Sequence, residues 1–291
     1  MTTRRALLDT ATQRLREAGI DDARRNAEWM LEAALGLDRT TLLTHLGEPV
    51  TSEERIAFEA MMERRLKREP LQYVVGTTDF YGLRLRVSPA VLIPRPETEE
   101  VVEATLSHLE ATETPWVLDV GTGSGAIALA LKHERPDAEV FACDISQDAL
   151  AVAAENAERL TLPVTFIHAD ALTPAFADGV PACFDALVSN PPYVPDHEAA
   201  ALQPEVRDFE PAAALFTGDD PLVYYRAITG HAGRVLKPGG LLVFETHADF
   251  AADVRDLVAE SGFERAEVRS DLAGRERIVS ARLRNHAGTE P

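Results

Sequence analysis

Residues 117–125 read Val117-Leu118-Asp119-Val120-Gly121-Thr122-Gly123-Ser124-Gly125, an apolar run that closes on three alternating glycines. A short apolar run ended by a turn signal reads as a buried strand. A glycine-rich turn from strand into helix lets a ligand approach the backbone closely. Around this point the chain alternates. Helix 97–110 precedes strand Trp116–Val120, helix 125–133 precedes strand Glu139–Cys143, and helix 147–159 precedes strand Val164–His168. Strand 184–189, helix 221–235, strand 240–245, helix 250–261 and strands near 264–269 and 276–283 complete the series. Such alternation predicts an α/β fold with a doubly wound, mostly parallel sheet. No helix separates the last two strands, so the final one is expected to be antiparallel. The tail Asn285–Pro291 reads as frayed.

The first ~70 residues carry a different period. Leu7, Leu8, Ala11, Leu15 and Ala18 recur at helical spacing before Gly19. Asp21 and Asp22 are expected to cap a second helix through Ala27, Met30, Leu31 and Ala34, ending near Gly36. Thr51-Ser52-Glu53-Glu54 is a capping-box pattern opening a third helix that must end by Pro70. Leu83, Leu85 and Val87 then alternate with Arg84, Arg86 and Ser88, which is strand spacing. The expected layout is a small N-terminal helical bundle over 1–70, a linker over 71–94 with a β-hairpin at 71–90, and an α/β domain over 95–285.

The net charge of −19 falls almost wholly after residue 85. An acidic domain repels phosphate backbones, which disfavours naked DNA or RNA as a partner. Arg64-Arg65-Leu66-Lys67-Arg68 is a basic run, read as a solvated helix face. Cys143 and Cys183 lie in or beside predicted strands and form no CxxC or Cys/His cluster. They read as buried free thiols, with no metal site and no disulfide framework. No apolar run approaches the roughly 18 residues of a membrane span, and the N-terminus lacks a signal-peptide core. These features predict a cytoplasmic protein.

Strand 184–189 ends in Asn190-Pro191-Pro192-Tyr193. Proline has no N–H, so the prolines offer carbonyl acceptors without competing donors. The Asn190 side chain offers another acceptor. Two acceptors converging on one nitrogen suit a planar –NH2 group, on which Tyr193 can stack. Asp144 closes the second strand, where it can accept both ribose hydroxyls. Asp170 closes the third, where it can take an adenine amino group. Asp119, ahead of the glycine turn, can meet a ligand ammonium. The set suits S-adenosylmethionine, which carries an ammonium and no pyrophosphate. Gly121, Gly123 and Ala126 also satisfy the looser G-x-G-x-x-G/A pattern, so a nicotinamide or flavin enzyme competes.

Together, Gly-x-Gly-x-Gly, Asp144, Asp170 and Asn-Pro-Pro-Tyr on successive strand ends resemble the class I (Rossmann-like) S-adenosylmethionine-dependent methyltransferases. The tetrapeptide narrows the target to an adenine amino group or a protein glutamine. Leu92-Ile93-Pro94-Arg95-Pro96-Glu97-Thr98-Glu99 resembles the hallmark of the peptide chain release factor glutamine methyltransferases, the HemK/PrmC family. Pro70-Leu71-Gln72-Tyr73, Glu210-Pro211 and Leu272-Ala273-Gly274-Arg275 are similar to that family too. The resemblance implies that Asp119, Gly121, Thr122, Gly123, Ser124, Gly125, Asp144, Ile145, Asp170, Ala171 and Asn190 line the cofactor. Ala171 departs from the large side chain often found there and is expected to loosen the adenine pocket. The resemblance further implies that Asn190, Pro191, Pro192 and Tyr193 hold the glutamine of a release factor's Gly-Gly-Gln loop. The N-terminal bundle would recognise that protein, S-adenosylhomocysteine would be the product, and neither nucleic acid nor membrane would be a direct partner. Ribosomal-protein paralogues usually read Pro-Arg-Ser-Pro where this chain has Pro94-Arg95-Pro96-Glu97, which favours the release-factor branch.

Overall fold

The computed structural model describes residues 2–285 and separates into two compact units, Met1–Thr77 with Gln203–Phe209, and Thr78–Leu202 with Glu210–Pro291. The tail expected to fray, Asn285–Pro291, lies outside the described residues except for Asn285.

The first unit is built from α1 (Arg4–Glu17), α2 (Ala23–Leu35), α3 (Arg39–Thr44), α4 (Ser52–Leu66) and α5 (Leu71–Val75). Leu8, Leu15, Met30, Leu31, Phe58 and Met62 are fully buried and form its centre. The capping box at α4 forms as expected. The Thr51 hydroxyl accepts from the Glu54 N–H at 3.2 Å, and the Glu54 carboxylate accepts from the Thr51 N–H at 2.7 Å. Asp22 does not cap α2 through its side chain; it sits at φ 47°, and the Asn26 amide bonds the Asp21 and Asp22 carbonyls instead. α3 is too short to show a helical period and escapes a pattern reading; Asp38 caps it, accepting from the Thr41 N–H at 2.9 Å.

The basic run is a solvated face only in part: Arg64 and Lys67 are exposed, whereas Arg65 and Arg68 turn inward. Arg65 is buried, donates to Asn26 Oδ1 at 2.7 Å, and reaches Glu205 Oε1 at 3.1 Å through both terminal nitrogens. Arg68 donates to the other Glu205 oxygen at 3.1 Å. Glu205 lies on the short helix Pro204–Phe209, which packs as part of this unit. Residues 71–75 are also not strand. Pro70, fixed in φ, starts α5, and Gly76 in the left-handed region ends it. The hairpin is confined to β1 (Thr77–Phe80) and β2 (Leu83–Arg86).

In the second unit, α6 (Glu99–Leu109), β3 (Trp116–Val120), α7 (Ala126–Glu134), β4 (Glu139–Asp144), α8 (Gln147–Leu160), β5 (Thr165–His168) and β6 (Phe184–Ser189) follow in order. They lead to α9 (Val223–Val235), β7 (Leu236–Glu245), α10 (Ala251–Glu260), β8 (Phe263–Ser270) and β9 (Glu276–Leu283). Seven strands form one sheet in the order β5-β4-β3-β6-β7-β9-β8. All pairs are parallel except those of β9, which runs antiparallel to both β7 and β8. The mostly parallel, doubly wound sheet with its antiparallel final strand is therefore as expected. β7 begins earlier than its apolar run, because the pairing with β6 shifts across Lys237–Gly240. A Cβ on Gly240 would lie 2.8 Å from the Lys237 carbonyl oxygen.

Register positions the functional ends. Val120 of β3 pairs with Cys143 of β4 and Ser189 of β6, and Ser189 pairs with Phe244 of β7. The first residues past these pairs, Gly121, Asp144, Asn190 and Glu245, therefore emerge side by side at the carboxyl edge, where open α/β sheets bind ligands. Asn156 of α8 is fully buried beneath that edge. Its amide accepts from the Arg86 N–H at 2.7 Å and donates to the Arg86 and Ser124 carbonyls at 3.0 Å, tying β2 to the glycine turn. Of the two cysteines, Cys143 is buried but Cys183 is exposed, because it occupies a left-handed turn (φ 77°) ahead of β6 rather than the strand itself.

Candidate active site

The carboxyl edge encloses a cleft of about 180 Å³. One wall is the glycine turn with Gly121 and Gly123, the other is Ser189, Asn190, Pro191 and Pro192. Asp144, Ile145, Ser146, Asp170 and Ala171 line the side between β4 and β5. Leu92 and Pro211 of the family segments also line it, with Val120, Ala149 and Ala169, and so do Ala90, Val91, Ala213, Ala214, Tyr224 and Ile228, which no sequence motif marks. Tyr224 and Ile228 come from α9 and bring bulk to the same cleft as the small Ala171.

The three glycines differ in role. Gly121 and Gly123 have positive φ, and a Cβ built on either meets nothing within 4 Å, so their backbone faces open space. A Cβ on Gly125 would lie 3.1 Å from Leu129 and 3.2 Å from Ala153. Gly125 is thus required for close packing within the unit rather than for the cleft. Thr122, Ser124 and Gly125 do not line the cleft; Thr122 and Ser124 are buried.

Asp119 is fully buried and also stands behind the cleft wall. It accepts from the Thr122 hydroxyl at 2.7 Å and the Ala128 N–H at 3.2 Å, while its Oδ1 has no hydrogen-bond partner among the described residues. Burial pushes its carboxyl up to about 7 against the pull of those two bonds. Asp144 accepts from the Gly123 N–H and the Ser146 N–H, each at 2.9 Å. It therefore shapes the glycine turn while facing the cleft, with lone pairs left for ligand hydroxyls. Asp170 accepts from the Leu172 N–H at 2.8 Å in a tight turn and lines the cleft beside Tyr224.

Asn190 donates its amide N–H to Thr98 Oγ1 at 3.1 Å, which leaves Oδ1 as the acceptor. Thr98 in turn donates to Glu245 Oε2 at 2.6 Å. Glu245 is 1% exposed, and burial raises its carboxyl to about 7, opposed by the Thr98 bond and the nearby Arg277. Tyr193 does not line the cleft. Its ring packs against the core, its hydroxyl lies 3.5 Å from Glu245 Oε1, and the His247 ring centroid is 6.0 Å away. Burial and the Glu245 charge raise the tyrosine hydroxyl's pKa. His197 is exposed, but Glu245 and His247 reach the tetrapeptide from the end of β7. Pairing of β6 with β7 brings them there, and no local pattern signals it. Glu210, also nearly buried, accepts from Arg95 at 2.6 Å and from the Ile93 N–H at 3.2 Å, fixing residues 93–96.

This donor set fits S-adenosylmethionine. Open backbone at Gly121 and Gly123 admits close approach, and carboxylates at successive strand ends can accept hydroxyl and amino donors.

Comparisons with known proteins agree with this architecture. A model of the PrmC N-terminal domain matches residues 6–76, and one of the methyltransferase small domain matches residues 98–208. The release factor glutamine methyltransferase of Geobacter sulfurreducens is 42% identical over 279 residues, covering 96% of this chain and 96% of that protein. That of Chlorobaculum tepidum is 46% identical over 264 residues, covering 88% of this chain and 89% of its own. A 16S rRNA methyltransferase of T. thermophilus, solved in complex with AdoMet and guanosine, shares the fold at a TM-score of 0.53 and 20% identity, over 72% of this chain and 50% of that one. Near-full-length identity at this level, with both domain models in their places, makes this chain a member of the release factor glutamine methyltransferase family.

Proposed function

We propose that this protein transfers a methyl group from S-adenosylmethionine to the side-chain amide nitrogen of the glutamine in the Gly-Gly-Gln loop of a peptide chain release factor. The observation that carries this reading is the single cleft shared by the glycine turn, Asp144 and Asn190-Pro191-Pro192. Gly121, Gly123, Asp144, Ile145, Asp170 and Ala171 hold the cofactor in this reading, with Asp119, Thr122, Ser124 and Gly125 shaping the turn behind them. S-adenosylmethionine supplies, when bound, an electrophilic methyl on a positively charged sulfur.

An amide nitrogen is a weak nucleophile because its lone pair is delocalised into the carbonyl. Asn190 Oδ1 and the Pro191 carbonyl accept its two N–H groups and orient what remains of the lone pair toward the methyl carbon. Positioning of this kind contributes roughly 7–11 kcal/mol at most. The same carbonyl dipoles favour the positive charge that develops on nitrogen as the new N–C bond forms and the methyl–sulfur bond breaks, its electron pair going to sulfur to give S-adenosylhomocysteine. One proton then leaves that nitrogen for water. Tyr193 packs behind the tetrapeptide and supports it from the Glu245 side. The helical N-terminal unit recognises the release factor, and the reaction belongs in the cytoplasm, where translation terminates. Among the described residues no helix is long and apolar enough to cross a membrane.

The test is incubation with methyl-labelled S-adenosylmethionine and either a release factor or DNA, followed by peptide mass spectrometry. Label on the Gly-Gly-Gln glutamine is the expected result. Label on nucleic acid alone overturns the reading.

A further inference from the structure

We propose that Thr98 and Glu245 are positioning residues for methyl transfer, which fix the Asn190 amide so that its oxygen, not its –NH2, meets the substrate. The inference rests on the reading of Asn190 as the acceptor for the substrate amide. An asparagine side chain is nearly symmetric in shape, and a half-turn of its amide exchanges acceptor for donor. In the wrong orientation two –NH2 groups would face each other and the glutamine could not bind productively.

Thr98 resolves this ambiguity by hydrogen-bond direction. Its hydroxyl has one proton, which is donated to Glu245 Oε2 at 2.6 Å. An ionised carboxylate only accepts, so the hydroxyl cannot turn its proton the other way. Toward Asn190 it has only lone pairs, and these accept the Nδ2 proton at 3.1 Å. The three residues come from distant parts of the chain, and each link is buried or half-buried. Thr98 is 4% exposed. Its own place is set by the turn in which its N–H bonds the Arg95 carbonyl at 3.1 Å, with Arg95 anchored on Glu210. The Pro94–Glu99 segment thereby acquires a chemical task, the delivery of one hydroxyl to the back of Asn190.

A purely structural role for this carboxylate would show as lost stability, whereas a positioning role shows as lost rate at unchanged cofactor affinity. This contrast supplies the test. Thr98→Val keeps the shape and removes the hydroxyl. Its kcat is expected to fall about 10- to 100-fold, the scale of a small misplacement of a reacting group. Affinity for S-adenosylhomocysteine and the KM for release factor should stay within about twofold, and Thr98→Ser should recover most of the rate. Glu245→Met frees the Thr98 hydroxyl to donate to Asn190 Oδ1, which permits the inverted amide. It is expected to match the kcat defect while S-adenosylhomocysteine affinity stays within about twofold, a combination that a purely structural role does not give.

Thr98→Val turnover within twofold of wild type, beside an inactive Asn190→Ala, overturns the inference alone. So does a rate loss that only tracks lost cofactor affinity or lost thermal stability in both variants. Near-normal turnover by Asn190→Ala overturns the underlying reading of that residue instead.

Discussion

Asn156 satisfies both backbone polar groups of Arg86, accepting from its N–H at 2.7 Å and donating to its carbonyl at 3.0 Å. The remaining amide proton goes to Ser124 in the glycine turn. One buried side chain thus closes a strand edge and holds the loop that forms a wall of the cleft. Asn156→Ala removes the side-chain partner of a part-buried N–H and carbonyl at Arg86 and of the buried Ser124 carbonyl. A loss of about 2–4 kcal/mol is expected, since each unsatisfied buried group costs roughly 1–3 kcal/mol and part of the space can relax. Urea denaturation measures it. Affinity for S-adenosylhomocysteine should fall with it, because Ser124 loses its anchor.

The glycine turn predicts a separation of stability from binding. Gly125→Ala places a Cβ against Leu129 and Ala153 at a φ of 83°. It should lower stability by about 1–3 kcal/mol, the usual range for overpacking. Gly123→Ala meets no protein atom, but its φ of 55° is unfavourable and its new methyl enters the cleft. That variant should melt within a few degrees of wild type and bind S-adenosylhomocysteine at least tenfold more weakly. Calorimetric titration beside thermal melting distinguishes the two; equal behaviour of the variants would contradict the division of roles.

Acidity should act on stability and turnover in opposite senses. Folding raises Glu245 from 4.5 to about 7 and Asp119 from 3.8 to about 7. Between those limits the folded state holds protons that the unfolded chain has released. The stabilisation is therefore complete below the unfolded values and is lost as pH rises through about 7. The wild-type melting temperature should decline across this window, and Glu245→Gln should remove that residue's share. The groups facing Glu245 are the Thr98 and Tyr193 hydroxyls, Arg277 and Glu97, while the Tyr225 hydroxyl bonds its backbone carbonyl. Ionisation of Glu245 directs the Thr98 proton away from Asn190, so turnover should climb over the range in which stability declines. A flat kcat profile through neutrality would count against this.

For the tetrapeptide, Asn190→Ala should abolish methyl transfer while S-adenosylhomocysteine binding falls much less. Tyr193→Phe removes only a hydroxyl at 3.5 Å from Glu245, whereas Tyr193→Ala also empties ring volume packed on the core. Turnover should therefore fall further in the alanine variant. Single-turnover rates with saturating cofactor provide the comparison.

Much of the second unit could be read from the chain because its strands are continuous apolar runs punctuated by glycine and proline. The register-dependent features could not. Glu245 follows an apolar run without any motif of its own; its meeting with Asn190 depends on Ser189 pairing with Phe244. Thr98 was visible only as one letter of a family segment, since a hydroxyl's partners are decided by tertiary packing. Gly125 looked like a cofactor contact because spacing cannot distinguish a backbone facing a ligand from one pressed against a helix. Arg65 sits in a run of exposed-looking charges, and its carboxylate partner lies 140 positions away. Val74-Val75 is a β-branched pair with strand preference, yet Pro70 and Gly76 bracket residues 71–75 as a helical turn.

The clamp of Arg65 and Arg68 on Glu205 bears on how this chain can be taken apart. The polypeptide leaves the helical unit at residue 77, returns for residues 203–209, and leaves again. A fragment ending at residue 77 would bury a guanidinium whose carboxylate had been left on the discarded piece, the kind of loss that costs about 3–5 kcal/mol. No single cleavage point yields both units whole. Expression of the helical unit by itself would need the Gln203–Phe209 segment grafted back or Arg65 replaced by an apolar residue, and a gene fusion or permutation that keeps residues 190–210 unbroken preserves both.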